Sequence, residues 1–254
     1  MRTLFLAFVL FLASNVVAKP LTAHMPVIAA SSFVPDNDLW REDNVNFVSA
    51  VDEQMFNRII DIALEVYAPT AEQWNETLNI KRNWTNSTVN ANATRDGNGW
   101  TEINMYGGLA RRNEVTPYGF ALVLCHEINH LYGGEPYIEP SVHMAAESQA
   151  DYMGAGWCLK NVIDRLGPTN DTIVTPYIKS VCGGDWNCES RLAAGNSLGT
   201  LLAVLSRDPI PNYETPDKKV VKKTNLSYPS TQCRLDNYRA GVLVQARNLC
   251  WYKP

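Results

Sequence analysis

The chain has 254 residues, and its 22 lysine and arginine residues against 26 aspartate and glutamate residues give a formal charge of −4. This mild acidity gives no electrostatic reason to expect nucleic acid as a partner. Hydrophobic residues make up 46% and charged residues 19% of the chain, a globular balance that excludes a wholly disordered protein and suits one large domain or two small ones.

Residues 1–18 have the pattern of a secretory signal peptide. Arg2 supplies positive charge, residues 4–13 form a short apolar run, and Val16 and Ala18 are the small residues of a cleavage site after Ala18. The apolar run is too short to cross about 30 Å of hydrocarbon, so a cleavable signal is favoured over a membrane anchor. No later run is long enough to cross a membrane, so we expect no membrane span in the mature chain.

All six cysteines follow this segment, at positions 125, 158, 182, 188, 233 and 250. An even count in a secreted chain favours disulfide bonds, although the sequence does not choose among the fifteen pairings that six cysteines allow. Some buried free thiols are the alternative, because cysteine is often buried without a bond.

The first half of the mature chain predicts an arm, a helix and a hairpin. Residues 19–48 contain three prolines and predict an extended N-terminal arm. Apolar residues at helical spacing predict an amphipathic helix over 49–67 that ends before Pro69. Residues 78–93 and 100–109 alternate in polarity around a turn at 95–99, which predicts a β-hairpin.

The second half predicts four helices, over residues 117–132, 141–166, 191–205 and 230–248. The first is bounded by Pro117 and by Gly133, and the second ends before Gly167. No glycine- and serine-rich linker divides the chain, so we predict one α+β domain over residues 19–254.

Residues 126–130 read HEINH, an HExxH pattern. On a helix, residues i and i+4 share one face about 6 Å apart along the axis, so His126 and His130 can both bind one Zn²⁺. Glu127 then lies beside the metal, where its carboxylate can take a proton from an attacking water. Because the chain has only four histidines, an accidental HExxH is rare, and we predict one catalytic zinc.

A catalytic zinc needs a third protein ligand. The metzincin pattern HExxHxxGxxH fails here, because Pro136 occupies the position of its last histidine. Glu147 lies on the next predicted helix and would complete a His₂Glu set, with His143 as the alternative one turn earlier. Asp151, one turn beyond Glu147, could accept the free N–H of a ligand histidine and set its tautomer.

Five stretches with recognisable composition occur in order, namely VNANA at 89–93, MYGGL at 105–109, HEINH at 126–130, ESQAD at 147–151 and YPSTQCRL at 228–235. Together they resemble the HtpX-like and CAAX-prenyl-protease-like zinc metallopeptidases of the gluzincin clan, and most closely their soluble bacterial envelope members. The resemblance covers about residues 52–238. Two positions depart from the family pattern: Asn92 replaces an aromatic residue, and Tyr228 replaces a histidine before proline.

This resemblance implies a zincin-like fold with an active-site helix, a second helix that carries the third ligand Glu147, and a small mixed sheet. One edge strand of that sheet would bind an extended polypeptide substrate through main-chain hydrogen bonds. The residues of this predicted strand are Asn104, Met105, Tyr106, Gly107 and Gly108. Tyr228 would donate a hydrogen bond to the oxyanion, and Arg234 would orient the same loop or assist the donor.

The sequence therefore predicts a zinc-dependent endopeptidase that is secreted or periplasmic, in a bacterial envelope. Zn²⁺ would lower the pKa of its water, and Glu127 would act as the general base. A zinc-containing envelope binding or assembly factor without proteolysis is one alternative. Zinc-dependent hydrolysis of a non-peptide envelope polymer is another.

Overall fold

The computed structural model describes residues 28–43, 49–170 and 172–254. The predicted signal peptide and residues 19–27 of the predicted arm lie outside the described residues. The remaining part of the arm contains a strand, β1 (Ala29–Ser32), that is part of the main sheet. These four residues are extended, and the sequence did not predict that they pair with the sheet.

Helix α1 spans Glu53–Gln73 and begins where the Asp52 side chain accepts a hydrogen bond from the backbone N–H of Met55. The prediction that it ends before Pro69 is wrong, because the helix continues through this proline. Pro69 is exposed, whereas Tyr67 and Ala71 on either side of it are buried in the core. Burial of this apolar face outweighs the backbone hydrogen bond that proline cannot make.

The main sheet is mixed and contains β1, β2 (Thr77–Asn83), β3 (Ala91–Arg95) and β4 (Trp100–Tyr106), in the order β1-β3-β4-β2. Strands β3 and β4 form the predicted antiparallel hairpin. The predicted single strand over 78–93 is instead two strands, and β2 pairs with β4 in parallel. Strand β4 consequently lies inside the sheet, and the edges are β1 and β2.

One short helix and one long helix follow the sheet. Helix α2 (Gly107–Ala110) is a single turn, and α3 spans Pro117–Tyr132 with the predicted bounds. The Thr116 side chain caps the start of α3 by accepting from Gly119 N–H, and Pro117 occupies the first turn, where its missing N–H costs nothing. Every residue of α3 from Pro117 to Leu131 is buried.

The predicted helix over 141–166 begins later than the sequence indicated. Strands β5 (Tyr137–Glu139) and β6 (Met144–Ala145) pair with each other around His143, whose φ of 53° interrupts any helix. Helix α4 then spans Glu147–Met153, continues as a π-helical turn over Gly154–Cys158, and ends as α5 (Leu159–Leu166) before Gly167, as predicted. Here β-pairing determines where the helix begins.

The C-terminal part of the chain is helical, with α6 (Pro176–Cys182), α7 (Trp186–Ser206) and α8 (Thr231–Val242). The predicted helices over 191–205 and 230–248 correspond to α7 and α8, and α6 is an additional one. Helices α1, α4, α5 and α7 pack around α3, which lies at the centre of the main hydrophobic core and also contacts β3. The fold is thus α+β, as predicted.

The six cysteines form three disulfide bonds, Cys125–Cys158, Cys182–Cys188 and Cys233–Cys250, so the alternative of free thiols is wrong. The first bond joins α3 to the π-helical turn. Gly154 permits this close approach, because a Cβ at this position would lie 3.0 Å from the backbone of Cys125. No helix in the described part of the chain has the length and apolar character that a membrane crossing requires.

Candidate metal centre

Helix α3 places both histidines of the HExxH pattern on one buried face. His126 and His130 have no exposed surface, and their Nε2 atoms lie 3.0 Å apart. The rings meet edge to face, with centroids 4.6 Å apart. The two Nε2 atoms therefore converge on one point, as the sequence predicted for a pair of metal ligands.

Glu147, the first residue of α4, contributes its carboxylate to the same point. Its Oε2 lies 3.4 Å from His126 Nε2, and its Oε1 lies 3.6 Å from His130 Nε2. Two ligands of a tetrahedral zinc site, each about 2.1 Å from the metal, lie about 3.4 Å apart. The three separations, 3.0, 3.4 and 3.6 Å, lie on either side of this value, so the donor set fits a zinc ion, and His126, His130 and Glu147 could hold a metal.

His143 does not belong to this group. Its ring is exposed and contacts the rings of Trp74 and Tyr137, with centroids 5.9 Å and 5.3 Å away. The predicted helical spacing between His143 and Glu147 is absent, because α4 begins only at Glu147. Of the two candidate third ligands, the structure brings only Glu147 to the two histidines.

The second nitrogen of each ligand histidine faces an acceptor. His126 Nδ1 lies 2.8 Å from Asp151 Oδ1, and His130 Nδ1 lies 2.8 Å from the carbonyl oxygen of Ala145. Such acceptors hold the Nδ1–H tautomer and leave Nε2 free to bind a metal. The predicted contact between Asp151 and a ligand histidine is present, whereas the role of Ala145 had no signal in the sequence.

Arg234, on α8, holds Asp151 in place. Its Nε and Nη2 atoms each donate to one Asp151 oxygen at 2.8 Å, and its Nη1 donates to the carbonyl of Phe33 at 2.7 Å. All of these groups are buried. Arg234 thus acts on the site through Asp151, and its predicted contribution to orienting the Tyr228 loop stays a prediction.

Glu127 is fully buried, and neither of its carboxylate oxygens has a hydrogen-bond partner among the described residues. Burial raises the pKa of Glu127 from 4.5 to about 8, with His126 opposing this effect and Glu147 adding to it. A carboxylate that is buried without partners next to a metal-ligand cluster is unusual for a structural residue, because the structure gains no hydrogen bond from it.

The charges of the cluster suit a cation. Burial lowers the pKa of His130 to about 4, whereas for His126 the effect of burial is outweighed by Asp151, and by Glu147 and Glu127, so that its pKa rises to about 9. Burial opposes the ionisation of Glu147, but the two histidines hold its pKa below the usual value. Two ionised carboxylates, those of Glu147 and Asp151, therefore face the imidazoles.

Tyr228 is half-buried in the loop before α8, and its hydroxyl donates to the carbonyl of Ser32 at 2.7 Å. Burial raises the pKa of Tyr228 above its usual value, with Glu147 as a nearby charge, so the hydroxyl remains a donor at neutral pH. The structure thus shows Tyr228 donating to a peptide carbonyl close to the cluster, and its predicted role with a substrate oxyanion stays a prediction.

The predicted substrate strand is wrong. Asn104, Met105 and Tyr106 lie in β4, which pairs with β3 on one side and β2 on the other, so it offers no free edge. Gly107 and Gly108 begin the short helix α2 and are buried. The sequence indicated the strand but not its neighbours, because the parallel pairing of β2 with β4 leaves no local pattern.

Two residues near the cluster carried no signal in the sequence. The hydroxyl of Ser31, in β1, donates to Glu147 Oε1. The ring of Phe33 packs edge to face against the ring of His126, with centroids 5.3 Å apart. Both lie in the segment that the sequence predicts as an arm without a defined position.

Comparison with known proteins identifies no relative, since no family model, curated protein or solved structure matches the chain.

Proposed function

We propose that the protein is a secreted zinc-dependent endopeptidase of the gluzincin type. The observation that carries this proposal is the cluster of His126, His130 and Glu147 beside the buried carboxylate of Glu127, which has no hydrogen-bond partner among the described residues. The resemblance of five sequence stretches to the HtpX-like metallopeptidases supports the same function. Three disulfides support an oxidising compartment, such as the exterior or the periplasm.

Each residue of the site has its own role in the proposed peptide hydrolysis. A bound Zn²⁺ supplies Lewis-acid polarisation and lowers the pKa of its water. Glu127, in its ionised form, accepts the proton of the attacking water and passes it to the leaving amine. Tyr228 donates its hydroxyl hydrogen to the developing oxyanion, and the Arg234–Asp151 pair keeps His126 oriented.

A purely structural zinc site fits the cluster less well. Structural zinc sites have four protein ligands, whereas the group found in the described part of the chain offers three. A structural site also has no use for a base such as Glu127. The non-catalytic binding factor and the hydrolase of a non-peptide polymer are therefore the alternatives that an experiment has to separate from a peptidase.

The decisive variant is Glu127→Gln, because it removes the base and keeps the shape of the side chain. We expect it to retain zinc at one ion per chain and to lose about 10²–10⁴-fold in kcat on a denatured polypeptide. Zinc content and turnover are measured on the same samples, with the exposed Glu72→Gln as the matched control. A Glu127→Gln protein that loses zinc, or one that hydrolyses the polypeptide at the wild-type rate, would contradict the proposal.

A further inference from the structure

Strand β1 lies against the metal cluster, and three consecutive residues around its end contact three residues of the site. The Ser31 hydroxyl donates to Glu147, the Ser32 carbonyl accepts from Tyr228, and the Phe33 carbonyl accepts from Arg234. The guanidinium of Arg234 also lies over the Phe33 ring, with its central carbon 4.7 Å from the ring centroid. Each site residue thus contacts the arm as it would contact a ligand.

The same segment adds to the sheet as an extended peptide would. Strand β1 pairs antiparallel with β3, from Ala29 opposite Arg95 to Ser32 opposite Asn92, and Phe33 N–H donates to Ala91 at 3.0 Å. The Asn90 side chain then holds both backbone groups of Val34, accepting from its N–H at 3.3 Å and donating to its carbonyl at 3.0 Å. In binding of this kind the main-chain hydrogen bonds provide affinity, and the contacts of alternate side chains provide specificity.

With β1 in this position the cluster is closed to solvent. His126, Glu127 and His130 have no exposed surface, and Glu147 is 1% exposed. Phe33 and Val34, which follow β1, are themselves buried, whereas residues 35–38 are exposed. A polypeptide cannot approach the metal ligands while the segment from Ala29 to Val34 occupies this cleft.

We propose that residues 29–34 occupy the peptide-binding cleft of the protein, so that the intact chain is latent and release of this segment admits an extended polypeptide that pairs with β3. The identity of the ligand as a substrate rests on the proposed peptidase function. The segment also indicates what the cleft accepts, namely two small residues followed by an aromatic one, as in Ser31, Ser32 and Phe33.

The test keeps the whole chain and cuts the exposed loop after the segment. A recognition sequence for a site-specific protease is inserted between Asp36 and Asn37, and a scrambled insertion of equal length is the control. Cutting turns the intramolecular contact of the arm into a bimolecular one, so at micromolar concentration the arm competes weakly. The probe is a fluorescein-labelled peptide with the sequence of residues 28–35, and its binding is followed by anisotropy in the Glu127→Gln background with and without Zn²⁺.

We expect cutting to tighten binding of the labelled peptide at least tenfold, with no change for the scrambled insertion. Equal binding before and after the cut, or no binding in either state, would overturn the proposal. Hydrolysis of a denatured polypeptide is measured in parallel with Glu127 intact. If the cut exposes peptide binding but no hydrolysis follows, the occupied cleft is supported and the peptidase function is not.

A second pair of variants tests the same point without a cut. Ser31→Trp places a large ring where the hydroxyl meets Glu147, whereas Ala30→Trp places it on the exposed face of the same strand. We expect the labelled peptide to bind at least tenfold more tightly to the Ser31→Trp chain and with unchanged affinity to Ala30→Trp. Equal affinities of the two folded variants would overturn the proposal.

Discussion

Burial of Glu127, the proposed base, should make the stability of the folded chain depend on pH. The folded chain holds this acid in a buried position where its pKa is about 8, against 4.5 for an ordinary glutamate. Between these two pH values the unfolded chain releases the proton and the folded chain keeps it. The unfolded state therefore binds fewer protons, and the free energy of unfolding falls as the pH rises.

Glu127→Gln should remove this penalty in the metal-free protein. For the wild type, we expect Glu127 to lower the free energy of unfolding by up to about 1.4 kcal/mol per pH unit between pH 4.5 and about 8. The variant should consequently be more stable than the wild type at pH 8 and about equally stable at pH 4. Urea denaturation with a chelator present measures the free energy of unfolding of both proteins at each pH. If the variant and the wild type differ by the same amount at pH 4 and at pH 8, the assigned effect of burial is wrong.

The two candidate third ligands give a second prediction at the level of single residues. Glu147→Ala removes a group within 3.4 Å of His126 Nε2, so zinc affinity should fall much more than in His143→Ala, whose ring is exposed. Asp151→Asn keeps the three ligands but weakens the acceptor of His126 Nδ1. It should lower zinc affinity by about 10- to 100-fold. Competition with a chromophoric chelator measures all three, and loss of zinc from His143→Ala alone would mean that the ligand assignment is wrong.

At the scale of elements, the sequence predicted the bounds of a helix well where its apolar pattern and its capping residues indicated the same ends. Helix α3 has the predicted bounds because Thr116, Pro117 and Gly133 mark its ends. The start of α4 could not be predicted, because the pairing of β5 with β6 depends on contacts and not on periodicity. For the same reason the sequence predicted that His143 shares a helix face with Glu147, and only the structure separates them.

The position of β1 was beyond prediction for a different reason. Its four residues, AASS, carry no strong β propensity, and their partner β3 lies about sixty residues further along the chain. The contacts of Ser31 and Phe33 with the metal cluster follow from that pairing alone. The chemistry-bearing residues on α3 and α4 were visible in the sequence, whereas the segment that covers them was not.

The disulfide between α3 and the π-helical turn should stabilise the folded chain more than the one between α6 and α7. Cys125–Cys158 closes a loop of 33 residues and Cys182–Cys188 one of 6, so their loss should cost about 4 and about 2 kcal/mol in the chain-entropy estimate. Cys125 also directly precedes the ligand His126, so we expect the Cys125→Ala/Cys158→Ala pair to lower zinc affinity as well.

Paired alanine variants of each bond, compared by urea denaturation and zinc titration, measure these differences. The Cys182→Ala/Cys188→Ala pair is the control for removing a bond, and its zinc affinity should stay unchanged. Equal zinc affinities in both paired variants would show that the Cys125–Cys158 bond does not support the position of His126.

For the whole molecule, metal and folding should be linked, because the ligands come from two helices and assemble only in the folded chain. Zinc at 100 times its dissociation constant should stabilise the protein by about 2.7 kcal/mol. For a chain of this size the Tm should rise by about 5–10 °C. Thermal unfolding with zinc and with a chelator measures the shift, His130→Ala should abolish it, and a shift that persists in this variant would place the zinc elsewhere.

The two ligand histidines are oriented by acceptors of different kinds, and this predicts how the sequence can vary. His130 relies on the main-chain carbonyl of Ala145, which any residue at that position provides, provided that it fits the buried space. His126 relies on the side chain of Asp151, which no other residue type replaces without a change in charge or length. Natural variants of this protein should therefore tolerate exchange among small residues at position 145 and retain aspartate at position 151.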